Sequence, residues 1–244
     1  MLDAATSTHD PTMISTALIV GAAGVALSVR LYLRACAESL HRRRWWLMLT
    51  GIISGAGIWA TQTLLGLGYI SGAPHAHDPV VMLFAFMIAV CGGVSLLQYA
   101  HGRRGLGAAL VVGVGYGLLT SGIQISNIAA VAAEGVTIWR ADWMTALVAW
   151  AVPVCAAASA ILRNRTRAGA PWQAAGVFVL CMGGMFWIGL HEVEFRPDPT
   201  VEIPVGMMQD FGVALLVVTL TAAVLILGVA FVVIDRSAVR EARA

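Results

Sequence analysis

The chain has 244 residues, of which 59% are hydrophobic and only 11% are charged, whereas an ordinary soluble domain carries about 25% charged residues. A soluble protein of this size cannot bury so much apolar surface, but a bilayer solvates it, so the composition excludes a soluble domain. The net charge of +2 does not indicate a nucleic-acid partner, because the basic residues lie at the ends of apolar segments and not in one patch.

The N-terminal segment, residues 1–12, is polar and contains two acidic residues but no basic one. A secretory signal peptide begins with a positively charged region. We therefore expect residues 1–12 to form a short segment outside the cytoplasm. The first apolar segment should then remain in the protein as a membrane helix.

Seven apolar segments follow, each long enough to cross a bilayer as a helix. They lie near residues 13–35, 46–70, 80–100, 106–133, 142–162, 171–191 and 209–234. The predicted fold class is an all-α integral membrane protein, with one domain over residues 13–234 and a short tail over 235–244.

Local signals mark several helix starts. Asp78 followed by Pro79 predicts an N-cap and a first-turn proline for the third helix. Pro171 suits the first turn of the sixth helix. Asp142 and Asp210 are predicted to cap the fifth and seventh helices.

The distribution of arginine predicts the orientation. All fifteen basic residues are Arg, and thirteen of them fall in or beside four stretches, residues 30–44, 103–104, 163–167 and 236–243. Because positively charged loops stay in the cytoplasm, the N-terminus is predicted outside and the C-terminal tail inside. The Arg-rich inner loops are then the expected surface for a membrane or cytoplasmic protein partner.

Helices two, four and six carry Gly-rich stretches in their outer halves, at residues 55–63, 113–122 and 183–190. Glycine in membrane helices permits close packing. The spacing predicts a helix pair repeated three times, with a seventh helix added.

This arrangement resembles the MHYT family of bacterial seven-helix membrane sensors, over nearly the whole chain. The closest stretches are residues 55–60 and 201–236. Members carry a Met-His-Tyr-Thr-like motif near the outer ends of helices two, four and six, whose Met and His side chains are proposed to hold copper and sense a diatomic gas. The resemblance implies a sensory or signalling protein of the bacterial cytoplasmic membrane.

The chain departs from the family at the motif residues. The three motif histidines correspond to Gln62, Leu119 and Phe186, while Met185 keeps the third motif's methionine. Leu and Phe offer no lone pair to a metal, and an amide is a poor copper ligand compared with imidazole. We therefore expect the family scaffold without its copper site, with copper binding elsewhere as an open alternative.

A displaced metal site is one such alternative. His75 and His77 follow the second helix, and His191 and Glu192 lie at the end of the sixth. A site built from His77, His191 and a carboxylate such as Glu192 is one hypothesis. The other is that these are loop residues with no common partner.

Sulfur ligands offer a second route to a metal, because thioethers and thiolates suit Cu(I). Cys181, Met182 and Met185 lie within about one helical turn, and Met87 and Cys91 share a helix face. The competing interpretation is ordinary apolar packing.

Helix four has a polar face formed by Thr120, Gln124 and Asn127. Such side chains inside a membrane prefer the protein interior. They predict either hydrogen bonds between helices or a small polar pocket.

No catalytic constellation is visible, so an enzyme is not expected. The tail is too short for an output domain, and the first functional hypothesis is therefore a stand-alone sensor that signals through a separate protein. An accessory or anchor subunit of a larger complex is the alternative. A small-solute transporter or membrane enzyme is the third hypothesis, which the absence of intramembrane charged residues disfavours.

Overall fold

A computed structural model of the chain describes residues 10–68, 74–103, 105–163, 169–189, 191, 193–198 and 200–241. Within these ranges, seven helices are long and apolar enough to span a membrane, as the sequence predicted. They are α1 (Pro11–Ala37), α2 (Leu40–Leu67), α3 (Pro79–Tyr99), α4 (Leu106–Ala129), α5 (Ala141–Arg163), α6 (Ala170–Gly189) and α7 (Asp210–Glu241). The chain is thus a multi-pass membrane protein.

Three helix ends differ from their predicted positions. Helix α2 begins at Leu40, several residues before the apolar segment, and so includes the Arg-rich stretch. Helix α4 ends at Ala129 because the chain then enters a short strand. Helix α7 continues to Glu241, so residues 235–241 of the predicted tail are helical.

The predicted caps are right at one helix and wrong at two. The Asp78 carboxylate accepts hydrogen bonds from the backbone N–H groups of Val80 and Val81, and Pro79 occupies the first turn of α3. Asp142 and Asp210 are not N-caps, because both lie in the first turns of their helices. Their carboxylates contact other side chains, Arg140 in one case and two histidines in the other.

Four short strands were not predicted. They are β1 (His75–His77), β2 (Val131–Ala133), β3 (Gly135–Trp139) and β4 (Val193–Pro197). Strands β1 and β2 pair antiparallel, as do β3 and β4. These pairs connect the loops after α2, α4 and α6 at one end of the bundle, which we call the strand end.

Helix α2 is the central helix of the bundle. In its most apolar 18-residue window 72% of the residues are buried, compared with 33% or less in the corresponding window of every other described helix. It packs against α1 and α3, and also contacts α4, α6 and α7. The other helices accordingly present more of their apolar surface to the surroundings of the bundle.

Glycine allows two of the helix pairs to approach closely. At Gly55 of α2, an added Cβ would overlap the backbone carbonyl of Ala89 in α3. At Gly117 of α4, it would lie 2.5 Å from the Cα of Val152 in α5. Gly51 and Gly113, each four residues earlier, make similar contacts. Both interfaces therefore use the small-xxx-small spacing that brings membrane helices together.

Candidate functional site

The four motif positions have different surroundings. Gln62 is buried in α2, and its Nε2 donates a 3.2 Å hydrogen bond to the carbonyl of Thr120 in α4. Leu119 packs against the core between α2 and α3 and contacts Gly92. Met185 is buried in a separate cluster between α5 and α6. Phe186 lines a cavity described below.

The motif positions therefore do not fit the copper that the family resemblance implies. Leu119 and Phe186 are hydrocarbons without a lone pair. The Gln62 Oε1 is a buried acceptor with no hydrogen-bond partner among the described residues, but a single amide oxygen does not satisfy a copper ion, which favours imidazole and sulfur ligands.

Of the polar face of α4, the Asn127 side chain makes a predicted hydrogen bond between helices. The Thr120 hydroxyl instead donates to carbonyls of its own helix, those of Tyr116 and Gly117. Besides the Gln62 contact, the Thr63 hydroxyl donates to the Asn127 Oδ1 at 3.3 Å. Thr120 and Asn127 are buried, and Gln124 is half-buried. These contacts join α4 to the central helix.

The sulfur residues divide between the interior and the periphery. Cys155 and Cys181 are buried, with their Sγ atoms 3.7 Å apart, and they pack with Met185. Met87 and Cys91, the other predicted pair, lie on the exposed side of α3. Packing in the interior explains the first group.

A cavity of about 590 Å³ lies between α1 and α2 on one side and α4, α5 and α6 on the other. Its lining is largely apolar and includes Phe178, Met182 and Phe186 of α6. Leu18 of α1 and Val179 of α6 line it and are also 62% and 51% exposed. Because both helices are of membrane-spanning type, the cavity opens sideways to the surroundings of the bundle.

Few polar groups reach the cavity. The hydroxyls of Ser54 and Tyr116 lie 3.1 Å apart and bond to each other. The buried Ser28 hydroxyl has no hydrogen-bond partner among the described residues. The volume falls within the range of about 300–1,000 Å³ typical of small-molecule sites, and apolar walls with a few polar groups are typical of them too.

A second cluster lies at the strand end. The Nε2 of His77 is 2.9 Å from Oδ1 of Asp210, and the Nε2 of His75 is 3.2 Å from Oδ2 of the same carboxylate. The two imidazole rings are edge-to-face, with centroids 5.8 Å apart. Among the described residues, this is the group of three whose atoms could hold a metal ion.

Burial distinguishes the members of this cluster. The side chain of His77 is 6% exposed, that of His75 19% and that of Asp210 39%. Burial lowers the pKa of the His77 imidazole, and the Asp210 carboxylate opposes that shift only in part. Burial therefore favours the neutral form of the His77 imidazole.

The predicted metal ligands are only partly together. His77 belongs to the cluster, whereas His191 stacks on Trp143 with ring centroids 4.7 Å apart. The His191 Nδ1 lies 3.2 Å from the carbonyl of Trp187. Glu192 lies outside the described residues.

Sequence reasoning did not associate Asp210 with the histidines. It lies 133 residues after His77, and the strand pairing that brings them together has no clear sequence signal. In the sequence, only the His-x-His spacing indicated that His75 and His77 could act together.

Comparison with known proteins gives a broad result. The chain is 25% identical over 244 residues to a Caulobacter vibrioides protein named "Uncharacterized signaling protein". That alignment covers 99% of this chain but only 30% of the relative, so the chain spans less than a third of the length of the protein it matches. No protein-family profile matches the chain, and no solved structure matches it. What these findings support is a seven-helix membrane protein with similarity to a signalling protein.

Proposed function

We propose that this chain is a sensory membrane module that transmits a signal across the bilayer. The observation that carries the proposal is the alignment of 99% of the chain with part of a longer protein named for signalling. The activity of the longer relative belongs to that protein and is not assigned to this chain.

The cavity is the proposed place of signal reception. It separates α1 and α2 from α4, α5 and α6, so a bound molecule would change the spacing between the two groups. The sideways opening and apolar lining favour an apolar molecule that arrives through the bilayer. This ligand class differs from the copper that the family resemblance implies.

Helix α7 is the proposed route to the opposite face. It contacts the central α2 and also α1, which lines the cavity. Its 32 residues make a helix of about 48 Å, longer than the hydrocarbon core of about 30 Å. If a ligand displaced α2, α7 would move with it, and the end of α7 that extends beyond the membrane would move as well.

We also propose the orientation and the repeat. The strand end would face the outside and the Arg-rich loops the cytoplasm, where a partner protein would bind. The matching glycine contacts of α2–α3 and α4–α5 support a repeated helix pair.

Reporter fusions test the orientation. Alkaline phosphatase joined after Trp45 or Gly102 should be inactive, and joined after Ala133 it should be active, because the enzyme works only outside the cytoplasm. The reverse pattern would refute the proposed orientation.

Deletion of the gene in its native host tests the signalling role. A signalling module predicts a reproducible change in the expression of a defined gene set, restored by the wild-type chain. If deletion leaves transcription and second-messenger levels unchanged but causes loss of a stoichiometric membrane complex, the accessory-subunit alternative replaces our proposal.

A further inference from the structure

We propose that His75, His77 and Asp210 form a binding site for one divalent transition-metal ion, with Zn²⁺ as the ion that the ligand set fits best. The site lies at the strand end, away from the motif positions and the cavity. The inference concerns metal binding only and does not depend on the proposed signalling role.

The distances between ligand atoms are close to those that a metal requires. Ligands about 2.0–2.1 Å from a tetrahedral Zn²⁺ are about 3.3 Å from one another. The two nitrogen–oxygen separations are 2.9 and 3.2 Å. These two distances go to different oxygens of the Asp210 carboxylate. All three ligand atoms lie within 4.8 Å of one another, so the widest pair would have to draw closer on an ion.

Backbone hydrogen bonds hold the two segments that carry the ligands. His75 and His77 pair with Ala133 and Val131 across β1 and β2. On its other side, His77 exchanges two backbone hydrogen bonds with Met208, of 2.8 and 2.9 Å. Asp210 follows Met208 by two residues and opens α7. A metal site functions best when such a framework fixes the first ligands.

Ligand chemistry and access favour a transition metal. Two imidazoles with one carboxylate suit Zn²⁺ and its neighbours, whereas Mg²⁺ prefers oxygen ligands alone. The buried His77 gives the ion a protected side, and the more exposed Asp210 leaves a path for its entry. Three protein ligands leave a fourth position for water.

Metal binding would join β1 to the first residue of α7. Without an ion, the Asp210 carboxylate already bonds both imidazoles, so the same three residues also form a metal-free hydrogen-bonded cluster. The experiment must therefore separate an ion site from a cluster that only links the two segments.

The test uses the full chain, purified in detergent with a tag that contains no histidine. Isothermal titration with Zn²⁺ should show about one equivalent bound. Co²⁺ should give the visible absorption of a four- or five-coordinate site, and Mg²⁺ should not bind. Asp210→Asn and the double variant His75→Ala/His77→Ala should each lower Zn²⁺ affinity at least tenfold.

Two matched variants serve as controls. His191→Ala removes another histidine of the same end, and Asp142→Asn removes another first-turn carboxylate. Both should bind Zn²⁺ like the wild type. Zn²⁺ should also raise the melting temperature of the wild type but not that of Asp210→Asn, which keeps the side-chain shape.

Several results would overturn the proposal. One is less than about one-tenth equivalent of Zn²⁺ on the wild type with no change in melting temperature, which would leave a metal-free cluster. The proposal would also be wrong if Asp210→Asn bound Zn²⁺ with the affinity of the wild type, if His191→Ala lost Zn²⁺ binding, or if the wild type bound Mg²⁺ as tightly as Zn²⁺.

Discussion

The α2–α3 and α4–α5 interfaces differ sharply from the region between α1 and α6. In the two interfaces, glycine Cα atoms lie directly against the backbone of the neighbouring helix. At the cavity, by contrast, an added Cβ at Gly183 of α6 would meet nothing. The same residue type thus fixes a distance in one region and leaves space in the other. We infer that the glycine interfaces form the rigid frame and that the cavity is where the bundle can change shape.

The largest expected effect comes from Gly55→Ala. The added methyl group would overlap the Ala89 carbonyl, and backbone cannot move aside as a flexible side chain can. We expect the free energy of unfolding to fall by about 1–3 kcal/mol, which is typical of an overpacked interior. Thermal unfolding of the purified protein measures it.

Gly66→Ala is the matched control on the same helix, since its Cβ would meet nothing. It should be neutral or stabilising by up to about 1 kcal/mol, because alanine loses less entropy in a helix. Equal effects of the two substitutions would refute the idea of a glycine-fixed interface.

A similar but somewhat smaller loss is expected for Gly117→Ala. Its Cβ would lie 2.5 Å from the Val152 Cα and 2.9 Å from the Ala151 carbonyl. We expect destabilisation of about 1–2 kcal/mol in the same unfolding measurement. Gly122→Ala on the same helix has open space and should not destabilise. A stable Gly117→Ala protein would restrict the rigid frame to α2 and α3.

Gly183→Leu should alter signalling with little effect on stability. Gly183 lines the cavity and has room for a side chain, so leucine would occupy volume that a ligand needs. We expect the free energy of unfolding to lie within about 0.5 kcal/mol of the wild type. We also expect that this variant, expressed in the deletion strain, does not restore the gene expression of the wild type.

Gly176→Leu is its control, because Gly176 is also open but does not line the cavity. Full restoration by both variants would remove the cavity from the proposed mechanism, while the signalling role itself would stand.

The smallest effect is expected for Gln62→Leu. The substitution removes one hydrogen bond to Thr120, but it also removes the Gln62 Oε1, which is buried without a partner. Because these contributions oppose each other, stability should change by less than about 1 kcal/mol. Gln62→Ala should cost more, since it leaves a void in the packed centre. A large loss in Gln62→Leu would indicate that Oε1 has a partner in the native membrane protein.

The helices could be predicted because bilayer solvation imposes a long apolar segment on each. The cap of α3 was equally accessible, since Asp78 and Pro79 are adjacent in the sequence. The start of α2 could not be predicted from the sequence. Its first residues are polar and arginine-rich, and hydropathy places the start of a helix where the apolar residues begin. The buried Arg43 shows that this polar turn is part of the packed bundle.

The candidate sites were predictable only where neighbours in sequence suffice. The polar face of α4 was found from helical spacing, and His75 with His77 from their adjacency. The position of Asp210 depends on pairing between distant loops through strands of three to five residues. Such strands carry too few residues for an alternation pattern to be recognised. The cavity likewise depends on how six helices pack against one another, which no single segment of the sequence specifies.

The backbone bonds at the strand end have a consequence for amide hydrogen exchange. The His77 N–H donates to Met208, and the Asp78 N–H donates to Ala130, so three loops share one hydrogen-bonded network. These amides should remain protected for far longer than those of unpaired loops. The strand end would then act as a fixed pivot, and rearrangement of the helices would be greatest at the opposite end of the molecule.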